Sequence, residues 1–218
     1  MCDETLDRDQ QGEDEYVLDN PPVRSFVSSV RGAIARATDP AEAVQSIRPL
    51  FSRLLSGEGW LPDEYQTPAP ESGMGGGIGQ WLLFRSGVRD LCLFALVVPP
   101  GAATPVHDHL AWGLVGLYRG EQEETVFARR DEDAPVCEKE DLSIKLRRTV
   151  QPGDFYALLP PEDDVHRVRT TSSGTSVSIH LLANDTGCVW RHSYDPETGA
   201  VYPFRSGYVN RPCEPDGH

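Results

Sequence analysis

Three histidines carry the first chemistry this sequence offers. His107 and His109 stand in the run Pro105-Val106-His107-Asp108-His109, and His166 lies far downstream in VHRVRT. On an extended segment, residues two apart project from the same side with Cα atoms about 6 to 7 Å apart, so both imidazoles of a His-x-His pair can converge on one ion. Alone the pair is weak, because the same spacing occurs by chance in surface loops. Further on, Ser178 and His180 alternate with Val177, Ile179 and Leu181. Such a strand can pack one face while the other lines a cavity. Two readings of His180 stand side by side, a core histidine with its bonds satisfied and a residue beside a metal. Arg85, in WLLFRSG, offers a guanidinium suited to a bidentate grip on a carboxylate. Arg89 is a nearby competitor for that task, and a surface salt bridge is the plainer reading of either.

The elements that must position these groups follow from texture. From Trp81 onward short runs rich in β-branched and aromatic residues (WLLFRS, DLCLFALVV, WGLVGLY, EETVFARR, LSIKLRRTV, DFYALL, VHRVRT, TSVSIHLLA, VWRHSY) alternate with turns such as PPGAATP, QPGD and PPEDD. Regular short strands with turns between them predict a sandwich or barrel over 81–210. Before it, Phe26, Val27, Val30 and Ile34, then Val44, Ile47, Phe51 and Leu54, recur at helical spacing and predict two helices, with Asp39 as cap and Pro40 in the first turn of the second. A run rich in Pro and Gly follows, ending in GMGGGIG, so 21–80 reads as a helical segment plus a linker or mobile loop. Residues 1–20 read as a disordered acidic tail.

Composition excludes several functions. With 34 acidic against 20 basic residues, the formal charge of −14 would repel a polyphosphate backbone, so nucleic acid is not an expected partner. Much of that charge falls in the first 20 residues and in Glu121–Asp141, which reads as solubility and solvated loops. No apolar run approaches the roughly 18 residues that cross a bilayer. The start lacks the basic and apolar regions of a secretory signal. Five cysteines, odd in number and without Cys-x-x-Cys spacing, argue against a disulfide framework and a cysteine zinc site, with Cys92 and Cys188 read as buried strand thiols. A reducing cytoplasm is the expected compartment.

The frame around the histidines is more specific. Gly101 precedes His107 by six residues, Gly120 closes the next strand, and Pro152-Gly153-Asp154 leads into His166. From about Trp81 to His192 this resembles the two motifs of the cupin superfamily, which implies a mostly β fold, a double-stranded β-helix with N-terminal helices added. Many cupins add a glutamate ligand three or four residues after the second histidine, where this chain has Gly113 and Leu114. A neutral three-histidine set and the string HDHLAWGLVGLYRGEQEE resemble the thiol dioxygenases that act on cysteine and 3-mercaptopropionate. That resemblance implies one iron(II) on His107, His109 and His166, and a small thiol and dioxygen as reactants. It implies Ser178 and His180 as an outer hydrogen-bond relay, and Arg85, Trp112 and Leu182 facing substrate. It also implies a tail that folds back to the barrel near Tyr208. Leu182 stands where the relay has a tyrosine, so a substrate other than cysteine is expected, such as a thiohistidine betaine like ergothioneine. The cysteine–tyrosine crosslink of some members is not available with Gly113 and Leu114 in place. A monomer or small homo-oligomer is expected. The rival readings are another metal-dependent cupin enzyme and a non-enzymatic ligand-binding cupin, because three histidines do not choose the metal and a fold does not fix a function.

Overall fold

The computed structural model describes residues 12–70, 74–131 and 135–214. Two helices lie ahead of the main run of strands, α1 (Pro21–Ile34) and α2 (Pro40–Leu55), and a short 3₁₀ turn follows at Asp63–Gln66. Each helix starts where its sequence says it should. Asn20 accepts from the Val23 amide ahead of α1, and Asp39 accepts from the Glu42 amide ahead of α2, satisfying donors that have no partner inside the helix.

Among the described residues there are twelve strands in chain order: β1 (Glu15–Tyr16), β2 (Gly79–Arg85), β3 (Cys92–Val98), β4 (Val106–His107), β5 (Gly113–Arg119), β6 (Gln122–Arg129), β7 (Leu142–Val150), β8 (Phe155–Leu158), β9 (Val165–Thr170), β10 (Ser176–Leu182), β11 (Arg191–Tyr194) and β12 (Val201–Phe204). They form two six-stranded antiparallel sheets, ordered β1-β2-β3-β10-β5-β8 and β12-β11-β4-β9-β6-β7. The expected double-stranded β-helix with helices in front of it is the architecture observed.

Burial on both faces explains why β3 reads as an unbroken apolar run. The first sheet is covered on both faces. Leu93, Ala95 and Val97 of β3 and Val177, Ile179 and Leu181 of β10 join Val27, Ile47 and Phe51 of the helices in an outer core. Cys92, Phe94 and Leu96 with Leu182 face inward, toward Val150 and Val168 of the second sheet. The alternation along β10 therefore places Ser178 and His180 on the inner wall.

The amino-terminal expectation needs correction. Residues 1–11 lie outside the described residues, but 12–20 are tied down. Glu15 and Tyr16 pair with Arg85 and Phe84 as β1, Leu18 is buried, and Glu15 binds both Arg85 and Arg211. Asp14 also pairs with Arg31, so part of the acidic charge there is held by arginines. The glycine-rich run is partly outside the described residues, and its end begins β2 at Gly79, with Ile78 fully buried in the inner core.

A second correction concerns the cysteines. Cys188 and Cys213 form a disulfide, and Cys92 and Cys137 are free. β10 ends at Leu182, so Cys188 sits in a turn and not a strand, and the C-terminal segment brings Cys213 back to it. Asn210 anchors that segment by accepting from the Leu82 amide (3.0 Å) and donating to the Leu82 carbonyl (2.9 Å). Sequence spacing holds no trace of this return. Such bonds are disfavoured in reducing compartments, so the cysteines lend no support to a cytoplasmic placement. Among the described residues no helix is long and apolar enough to cross a membrane.

Candidate metal centre

Strand pairing assembles the three histidines. β4 lies between β11 and β9 in the second sheet, and His107 pairs directly with His166. Val106 and Val165 face an outer cluster with Phe127 and Tyr194, so His107 and His166 face inward. His109 follows two residues on. All three are buried, one ring nitrogen from each lies within 4.8 Å of the others, and their ring centroids are 4.8 to 5.0 Å apart.

Hydrogen bonds select which nitrogen is left for a ligand. The Nδ1 atoms of His107, His109 and His166 lie 2.9 Å from the Pro105 carbonyl, 3.2 Å from Asp164 Oδ1 and 2.9 Å from Glu124 Oε1. With each Nδ1 bound outward, each Nε2 carries the free lone pair that a metal takes. His166 Nε2 is buried without a hydrogen-bond partner, which burial normally forbids unless something unseen in a protein-only structure is bound. Burial holds His107 and His109 well below the usual imidazole pKa, and the neighbouring histidines and Arg191 push the same way. Neutral imidazole is the form that ligates. Burial would raise Glu124, but its bonds to His166 and Arg148 outweigh that and hold it low. These residues fit a divalent metal on three nitrogens.

Among the described residues no fourth protein ligand joins them. A Cβ at Gly113 would lie 2.0 Å from the Leu181 carbonyl oxygen, because β5 and β10 approach closely there, and Leu114 belongs to the outer core under the helices. Neither position can send a carboxylate or a thiol inward.

Other expected site residues separate. Ser178 Oγ lies 3.0 Å from His180 Nε2, the His180 ring stacks on Phe94 with centroids 4.5 Å apart, and His180 Nδ1 is buried without a partner. Leu182 is fully buried beside them in the inner core. Trp112 is not brought to the histidines: its ring packs on the outer core and borders a surface cleft with Arg31 and Val88. Arg85 is held by carboxylates, with Nε 2.6 Å from Glu15 Oε2 and Nη1 3.5 Å from Asp185 Oδ2. Tyr208 does fold back as expected, its ring 6.0 Å from Phe94 and its hydroxyl donating to Asp185 Oδ1 at 2.8 Å.

Sequence reasoning missed two groups. Arg191 is buried on β11, donating to Thr186 O, Asp108 O and Ser206 Oγ, and among the described residues no carboxylate lies within ion-pair distance. Burial pushes its pKa down to about 10. Gln80 is buried at the start of β2 with its Nε2 unpartnered, beside a cavity of about 840 Å³ that Ser206, Tyr208 and Trp81 also line. The signal for Arg191 was strand alternation in VWRHSY, which places it opposite Trp190 and His192.

A double-stranded β-helix whose inner wall presents three convergent imidazoles is a cupin metal centre. The model of the family described as cysteine dioxygenase type I matches residues 80–193, just over half of the 218, and the chain belongs to that family. Among solved structures, Peruvianin-I, described as a cysteine peptidase from Thevetia peruviana latex, aligns with a TM-score of 0.42 at 16% identity over 67% of this chain and 77% of that one. A recombinant oxalate oxidase in complex with glycolate gives 0.41 at 12% over 55% and 56%. A double-stranded β-helix protein from Klebsiella pneumoniae gives 0.42 at 14% over 59% and 87%. Likeness at that level concerns the chain path and says nothing of chemistry.

Proposed function

We propose that the protein is an iron(II)-dependent thiol dioxygenase that adds both atoms of dioxygen to the sulfur of a small thiol or thione and releases a sulfinic acid. The observation that carries this reading is the neutral donor set, three imidazoles with every Nδ1 bound outward and no carboxylate able to reach the site, in a chain of the cysteine dioxygenase family. Bound there, iron(II) would supply open positions for an anionic sulfur and for dioxygen, so that their reaction becomes effectively intramolecular. The balance needs no further reductant, since sulfur gives up four electrons and dioxygen takes four.

The chain's own residues then have defined tasks. The three histidines hold the ion, and the Arg191 cation, lacking a carboxylate partner, favours a substrate that arrives as an anion. Ser178 Oγ lies 3.0 Å from His180 Nε2, and a hydroxyl donating there would place the imidazole proton on Nδ1, as a donor toward a substrate atom. Leu182 closes that wall with an apolar surface. With an apolar side chain where a hydroxyl would single out cysteine, a bulkier thiol suits that wall better.

The reading is tested by metal analysis of the purified protein and by oxygen uptake of the iron-loaded form with cysteine, cysteamine, 3-mercaptopropionate, mercaptosuccinate and ergothioneine. About one iron per chain and uptake with at least one thiol are expected. Iron binding with no sulfur oxidation would leave the protein a cupin of other chemistry.

A further inference from the structure

The three ligand histidines differ in what stands behind them. His107 faces a neutral carbonyl. His109 Nδ1 lies 3.2 Å from both the carbonyl and Oδ1 of Asp164, whose carboxylate already accepts the backbone amides of His109 (3.0 Å) and Leu110 (3.1 Å). His166 alone makes a short bond to a carboxylate with few other duties, Glu124 Oε1 at 2.9 Å. The other oxygen of Glu124 accepts from Arg148 Nε. The three residues cross three adjacent strands, His166 on β9, Glu124 on β6 and Arg148 opposite Glu124 on β7. Glu124 is 1% exposed, whereas Arg148 is half-buried with its guanidinium 4.4 Å above the Tyr156 ring.

We propose that Glu124 is a positioning residue that returns to this site, one hydrogen bond away from the metal, the negative charge that many cupins supply through a coordinated glutamate, and that Arg148 fixes it in place. The proposal rests on reading the three histidines as a metal centre. A carboxylate accepting from Nδ1–H makes the imidazole a stronger donor through Nε2, and outer partners of this kind alter metal affinity by about 10- to 100-fold. A stronger donor also favours the more highly charged metal. His166 is thereby the strongest of the three ligands, although its sequence context resembles neither His107 nor His109.

Glu124→Gln tests this, since it keeps the size and an acceptor while removing the charge. Two readouts need no turnover: the iron(II) dissociation constant by chelator competition, and the iron(III)/iron(II) midpoint potential without substrate. They stand whether or not the protein oxidises a thiol, so failure here is distinct from failure of the dioxygenase reading. The expected result is an iron affinity weaker by about tenfold or more and a more positive potential. Arg148→Met, on the half-exposed side, is expected to shift both in the same direction by less, and Arg148→Lys to restore them in part. A folded Glu124→Gln protein with unchanged affinity and potential would overturn the proposal. Should that variant not fold, Arg148→Met decides alone, and wild-type values for it would overturn the proposal equally.

Discussion

The two inner walls of the barrel are built on different terms. The wall from the second sheet is polar, with His107, His109 and His166 backed by a carbonyl and two carboxylates within the same sheet and its loops. The wall from the first sheet is mainly apolar, with Leu82, Phe94, Leu96 and Leu182 surrounding one polar pair, Ser178 and His180. The polar wall has the donors to hold an ion, and the apolar wall shapes whatever lies against it. Metal binding and substrate choice are therefore expected to separate under mutation.

Replacing His107, His109 or His166 by Ala should nearly abolish both bound metal and activity, because two imidazoles leave an open site. Elemental analysis checks this, and a His166→Ala protein with full iron content would remove the third ligand. The next largest effect concerns the apolar wall. A site without a hydroxyl at Leu182 cannot demand a polar partner there, and pockets that do make such demands discriminate by several powers of ten. Weak kcat/KM for cysteine and 3-mercaptopropionate is expected, with a bulkier thiol or thione much better; a clear preference for cysteine would show that the wall does not act this way.

His180→Ala should lower turnover by about 10- to 100-fold while most of the iron stays bound. A wild-type rate on the best substrate would return His180 to core packing against Phe94. The polar wall also predicts a pH effect on the metal-free protein. His107, His109 and His180 are held well below the ordinary imidazole value by burial, so the unfolded chain takes up protons near pH 6.5 that the folded chain refuses. Stability is complete above that point and falls as the pH drops through the window below it, by about 1.4 kcal/mol per pH unit for each histidine. Urea midpoints of metal-free protein compared at neutral and mildly acidic pH would show it, and equal midpoints would contradict it. The smallest effect on the site is that of the tail, where Cys213→Ser should cost about 2 to 4 kcal/mol of stability and leave iron content unchanged.

The polar wall was the more legible of the two. His-x-His spacing was a weak signal alone, and the resemblance to the cupin motifs added His166, which lies on β9; strand periodicity then translates into facing. The alternation of Ser178 and His180 with Val177, Ile179 and Leu181 is legible for the same reason. Glu124 was hidden in a stretch whose net charge reads as solvated, although Gln122, Glu124 and Val126 share one face of β6 and all three are buried. Arg85 and Trp112 illustrate the opposite failure, in which a residue of suitable chemistry is drawn elsewhere, the one to Glu15 and Asp185 and the other to the helix-side core. Long-range returns of the chain decide those outcomes. β1, the two-residue β4 and the segment from Ser206 to Cys213 are set by such returns, which local pattern does not encode.

The central claim is that a neutral three-histidine centre transfers both atoms of dioxygen to sulfur, and isotopic labelling addresses it most directly. Iron-loaded protein is given its best thiol under labelled dioxygen in ordinary water, and the product is weighed by mass spectrometry. The account predicts a sulfinate in which both added oxygens carry the label, and no such product from His166→Ala. A product with one labelled oxygen, or a disulfide with no oxygen added, would contradict it.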